Sequence, residues 1–194
     1  MRVDRLWLHD FRSYAEAELQ FAPGLTAIVG DNGEGKTNLV EAVVFLATLA
    51  SFRGAPTDAL VRVGAPSAVV RAEGERDGRS LLLEAEITAA GRTRAQVNRQ
   101  RLARTRDLLG AVRTTVFAPD DLEMVKGGPA GRRRYLDDLL VALHPRHDRT
   151  RSDLDRILRQ RNALLKQCHG RLDADAASTL DVWDARLQAV ATEW

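Results

Sequence analysis

Eight consecutive residues of this chain have the types and spacing to hold a polyphosphate: Gly30-Asp31-Asn32-Gly33-Glu34-Gly35-Lys36-Thr37. They fit G-x-x-x-x-G-K-[ST], in which glycines let the backbone turn its N–H groups inward around an anion where a Cβ would obstruct both the turn and the ligand. Lys36 is spaced to reach the β and γ phosphates of a nucleoside triphosphate, and the Thr37 hydroxyl to bind Mg²⁺. Asn38 opens the helix-forming run Asn38 to Leu49, whose first N–H groups and dipole add to the same anion site. The predicted ligands are therefore a nucleoside triphosphate and Mg²⁺.

Such a loop needs a scaffold on both sides. The apolar run Leu25 to Val29 predicts a strand entering the loop, so that the unit reads strand, glycine loop, helix. Upstream, Val3, Leu6, Leu8 and Phe11 alternate with polar residues, and Leu19 and Phe21 continue the pattern before the turn Pro23-Gly24, which predicts a meander. Between its first two strands lies Phe11-Arg12-Ser13-Tyr14, where the Arg12 guanidinium, with Ser13 beside it, is expected to clamp phosphate or stack on a base. An exposed arginine at a turn is otherwise simply solvated.

The chain has 194 residues, 44% of them hydrophobic and 29% charged, which suits a globular protein with a substantial core and argues against disorder. Its formal charge is only +2, yet arginine supplies nearly all the positive charge, and a guanidinium suits bidentate phosphate contacts better than an ammonium. The single cysteine, Cys168, has no internal disulfide partner, and neither a signal-peptide core nor a stretch long enough to span a bilayer is present. A cytoplasmic protein without membrane attachment is expected.

Several stretches together resemble the RecF family of bacterial recombinational-repair ATPases. They are Arg2 to Tyr14; Gly30 to Ala42; Ser51-Phe52-Arg53-Gly54 with Asp58 to Arg62; Phe117 to Leu122 through Lys126-Gly127 and Arg132 to Asp137; and Gln160 to Lys166. The resemblance implies an α/β fold, a P-loop, ABC-type ATPase nucleotide-binding lobe with an antiparallel β subdomain. Composition shifts near residue 129 from glycine-punctuated strands to Arg/Leu/Asp-rich helices, which places the lobe over residues 1–128 and a helical lobe over 129–194. The resemblance further implies an ATP-dependent homodimer on single-stranded or gapped DNA, slow DNA-dependent ATP hydrolysis in the intact protein, partnership with RecR and RecO-type mediator proteins, and roles in DNA repair, DNA replication and the SOS response to DNA damage.

Patterns elsewhere agree with that layout. Ser67 to Glu73 and Ser80 to Thr88 alternate around the turn Asp77-Gly78, Thr93 to Asn98 reads as a third strand, and Val112 to Phe117 as a core strand. Helical patterns cover Ala130 to Leu143, Arg149 to Gln167 and Ala174 to Trp194. From Arg92 to Arg106 there are six arginines and no acid; such a run is either a solvated face or one whose self-repulsion a polyanion offsets. Arg99, Arg101 and Arg104 in it, with Arg132 and Arg133 in the Lys126 to Arg134 segment, are the candidates for sequence-nonspecific DNA contact.

An acidic strand end for the metal and water (Walker B) and a signature loop reaching a partner's γ phosphate are both missing, so the expectation is an N-terminal portion with no catalytic residue of its own. Whether Asp120 or Asp121 approaches the metal is open. Two other classes share the glycine loop. An SMC-like coiled-coil repair ATPase would run into sustained heptads, which the apolar stripes here do not reach. A small-molecule phosphotransferase would carry a lid with paired arginines rather than an arginine-rich run and long helices.

Overall fold

Alternation in the first hundred residues builds one antiparallel sheet. The computed structural model describes residues 1–168 and 173–193, so His169 and Trp194 lie outside the described residues, as do the side chains of Asp120 and Glu123. The strands are β1 (Arg2–Phe11), β2 (Tyr14–Gln20), β3 (Ser67–Arg76), β4 (Arg79–Thr88), β5 (Thr93–Val97) and β6 (Gln100–Arg101), in the order β2-β1-β3-β4-β5-β6. Two of the turns follow from their residues: Asp77-Gly78 and Asn98-Arg99 both have positive φ at both positions, the geometry that matches the twist of a two-residue hairpin. At Gly74 the backbone of β1 comes so close that a Cβ would lie 1.8 Å from the Arg2 carbonyl, beside the register shift between Val3 and Arg5.

One face of the sheet is apolar. Leu6 and Leu8 of β1, Ala68, Val70 and Ala72 of β3, Leu83, Ala85 and Ile87 of β4, and Ala95 of β5 are buried there with Leu39, Ala42, Phe45 and Leu46 of helix α1 (Lys36–Thr48). The alanines in the middle of the sheet leave room for a helix to lie close, and Phe45 and Leu46 fill that room. Burial of each large side chain contributes about 1.5–3 kcal/mol. The outer face carries ion pairs between neighbouring strands: Arg71 with Glu84, Arg94 with Glu86, and Arg5 with Glu18.

The chain divides into two compact units, Met1–Pro119 and Asp120–Trp194. The second contains α2 (Glu123–Lys126), α3 (Pro129–Leu143, with Pro at its first turn), α4 (His147–Gln167) and α5 (Ala174–Glu193). Arg161 Nε donates to Asp184 Oδ1 at 2.6 Å, tying α4 to α5. The compositional shift at residue 129 coincides with the start of α3, while the boundary between the compact units falls earlier.

Two expected strands do not form. Leu25 to Val29 and Val112 to Phe117 are irregular, with Leu25 97%, Val29 86% and Phe117 85% exposed. A strand exists only through its neighbours: both edges of β1 are taken by β2 and β3, and among the described residues neither segment meets a partner. The residues have strand propensity without a ladder to join.

Candidate nucleotide-binding site

The glycine loop sits directly on the N-terminus of α1. Gly30, Gly33 and Gly35 have φ of 153°, 92° and 93°, values that L side chains rarely adopt. A Cβ on Gly35 would also lie 2.6 Å from Ser13 Oγ and 3.0 Å from the Tyr14 ring, so the β1–β2 turn packs under the loop only because that residue is glycine. Gly35 is the N-cap of α1, with no side-chain cap and no acid in the first turn. The helix thus presents uncapped N–H groups and its positive end to the loop.

Lys36 Nζ donates to the carbonyls of Gly30 at 2.8 Å and Asp31 at 2.6 Å, which holds the ammonium across the mouth of the loop. The Glu34 carboxylate folds back and accepts the Asp31 N–H at 2.9 Å, occupying one of the loop's backbone donors. Tyr14 OH donates to the Glu34 carbonyl at 3.3 Å, and burial first, then the Glu34 charge, raises the Tyr14 pKa above its ordinary value. Asn38 Nδ2 donates to Ser13 Oγ at 3.0 Å. A cleft of about 400 Å³ is lined by Asn32, Gly33, Gly35, Lys36, Thr37, Asn38 and Arg53.

Arg12 lies near the loop but is engaged elsewhere. Its Nε and Nη2 donate to the two oxygens of Glu41 at 2.8 Å each, and Nη1 donates to the Ala59 carbonyl at 2.9 Å. Arg53, by contrast, lines the cleft although its sequence does not announce it, because a lone arginine in a Gly/Pro-rich loop has no pattern of its own. The only signal is its place in the Ser51-Phe52-Arg53-Gly54 stretch.

The arginine run is divided by its surroundings. Arg94 pairs with Glu86 and Arg104 with Asp107, at 3.5 and 3.4 Å, whereas Arg99 and Arg101 are exposed on the β5–β6 hairpin. Arg99 has φ 66° at the turn position that glycine usually takes. In the helical unit, Arg132 Nη1 donates to the Gly127 carbonyl at 2.9 Å, and Arg133 is exposed. No helix among the described residues is long and apolar enough to cross a membrane.

An antiparallel six-stranded sheet packed on a helix, with a glycine loop at that helix's uncapped N-terminus, is the nucleotide-binding lobe of a P-loop ATPase head of the ABC and SMC kind. The family model described as the RecF/RecN/SMC N terminal domain matches residues 2–120, and the chain belongs to that family. Within it, the similarity is to RecF. The DNA replication and repair protein RecF of Pseudarthrobacter chlorophenolicus is 50% identical over 194 residues, covering all of this chain and 48% of its own length. RecF of Streptomyces avermitilis is 50% identical over 198 residues, covering all of this chain and 53% of its own. The chain thus spans about half the length of these relatives. A solved structure described as the recombination mediator protein RecF-ATPrS in the RecFOR pathway superposes with a TM-score of 0.88 at 29% identity, over 97% of this chain and 51% of that one. A structure from work on ATP-driven dimerization and DNA-stimulated activation of SMC ATPases gives 0.57 at 25% identity, over 71% and 98%.

Proposed function

We propose that this chain is the nucleotide-binding part of an ATP-dependent DNA-repair protein, in which ATP binding drives pairing of two copies on single-stranded or gapped DNA. The observation that carries the reading is the loop itself: three glycines at positive φ, Lys36 held across the mouth and an uncapped helix end together form a cradle for the phosphates of ATP. Loop N–H groups and Lys36 would hold the β and γ phosphates, Thr37 would meet Mg²⁺, and Arg53 lies across the cleft where further phosphate charge accumulates. Bound Mg²⁺ would neutralise phosphate charge; the chain's own residues bind and orient. Similarity to RecF supports recombinational repair and replication-gap processing, with RecR and RecO-type mediators as partners, and the sequence-nonspecific DNA contact is assigned first to Arg99 and Arg101.

Because the cradle reads phosphates, affinity should follow their number. In calorimetric titrations with Mg²⁺ present, ATP and ADP should bind and AMP should not. Equal binding of all three would point to recognition of the nucleoside and remove the loop from the account.

A further inference from the structure

Glu41 lies on the second turn of α1 with none of its surface exposed. A carboxylate without water persists only if its lone pairs are met. Arg12 meets it with a two-pronged contact, both bonds at 2.8 Å, and Ser51 Oγ donates to Oε1 in a shorter bond. Ser51 Oγ in turn accepts the Arg53 N–H at 3.2 Å, and the Arg53 Nη1 donates to Asn38 Oδ1 at 3.4 Å, beside the phosphate loop. One run of polar contacts therefore leads from a buried carboxylate to the arginine that lines the cleft from outside the loop.

A well-packed apolar cluster of similar volume would hold α1 against the β1–β2 turn at least as well as a buried ion pair, whose desolvation offsets much of its attraction. What the carboxylate adds is direction. Both its oxygens hold Arg12 and Oε1 also accepts Ser51, and the Ser51 hydroxyl sets where the following backbone begins to turn.

We propose that Glu41 is a positioning residue of the nucleotide site: through Ser51 it orients the turn over residues 51–54 so that Arg53 faces the phosphate cleft. The proposal rests on the reading that the glycine loop holds ATP, and its test separates the two. Mg·ATP affinity is measured by titration for the chain and for Lys36→Ala, Arg53→Ala, Ser51→Ala, Glu41→Gln and the Ser51→Ala/Arg53→Ala pair, with circular dichroism as the check on folding. Arg53→Ala should weaken binding about tenfold, the scale of one charged hydrogen bond. Ser51→Ala and Glu41→Gln should each weaken it several-fold, and adding Ser51→Ala to Arg53→Ala should cost nothing more, since Ser51 acts through Arg53. If Glu41→Gln does not fold, the serine and arginine cycle decides alone, because Ser51→Ala leaves the Arg12 contact intact. Independent, multiplying losses would overturn the proposal, as would unchanged affinity in Arg53→Ala while Lys36→Ala loses binding. Unchanged affinity in Lys36→Ala would overturn the ATP reading and this inference with it.

Discussion

A lysine bonded to two carbonyls of its own loop holds its charge at the loop's mouth, and the Glu34 carboxylate on the Asp31 N–H places an anion in the same loop. A phosphate drawn to that loop would meet a group of its own charge. Glu34→Ala should therefore raise ATP affinity several-fold in a binding titration; a fall would mean that Glu34 helps to hold the nucleotide. At Glu41 burial pushes the carboxyl pKa up, but the bonds from Arg12 and Ser51 and the charges of Arg12 and Arg53 outweigh it and hold the group below its ordinary 4.5. The folded pKa is thus depressed, so the stabilisation is full above the ordinary value and disappears as pH falls through the folded one. Thermal melts should show wild type and Glu41→Gln separated by a constant interval from pH 7 to about pH 5 and converging in more acid solution. A gap that persists unchanged below about pH 4 would contradict the charged pair. At this scale the glycine loop was legible because its residues are contiguous, whereas the destination of Arg12 was not. Its partner lies 29 positions away, and only the packing of α1 against the β1–β2 turn brings Glu41 beneath it.

Elements were legible where a local pattern decided them. Asp77-Gly78 marked the β3–β4 hairpin, alternation marked the strands on either side, and the helical pattern from Ala130 to Leu143 marked α3. Leu25 to Val29 and Val112 to Phe117 misled for the opposite reason: their composition favours strand, but pairing is a tertiary event, and no neighbour among the described residues supplies it. The arginine run needed structure as well, since cross-strand and nearby acids decide which charges remain. With Arg94 on Glu86 and Arg104 on Asp107, the β5–β6 hairpin becomes the centre of the DNA proposal. Log K for DNA should fall linearly with log[salt], and replacing Arg99 and Arg101 by Ala should flatten that slope by about 0.7 to 0.9 for each phosphate no longer neutralised. Adding Arg104→Ala should change it little further, and ATP affinity should stay the same. A slope untouched by all three changes, read by fluorescence anisotropy on single-stranded and duplex DNA, would return the run to a solvated face.

At the scale of the whole molecule, the family and the class of fold were legible from stretches spread along the sequence, while the division of the chain after Pro119 was not, because three-dimensional packing rather than composition decides it. Leu25, Val29 and Phe117 lie almost fully exposed, and large apolar side chains left in water at several positions are surface that a dye can cover. The chain on its own should therefore bind a hydrophobic dye, and Leu25, Val29 and Phe117 changed together to Ser should reduce that signal without lowering the melting temperature by more than a few degrees. It should also hold Mg·ATP without turning it over above background, since the loop offers donors for ground-state phosphate contacts while groups to stabilise the transferring phosphoryl charge are not evident in the sequence. Turnover that vanishes in Lys36→Ala would direct attention to Asp121 and Asp120. The central claim, that Gly30 to Thr37 is the seat of ATP, is tested most directly by calorimetric titration of Mg·ATP into the chain and into Lys36→Ala, each with a melting curve. The account predicts saturable binding by the first, at least about tenfold weaker binding by the second, the scale of one charge-assisted hydrogen bond, and closely similar melts. Equal binding by two folded proteins would contradict it.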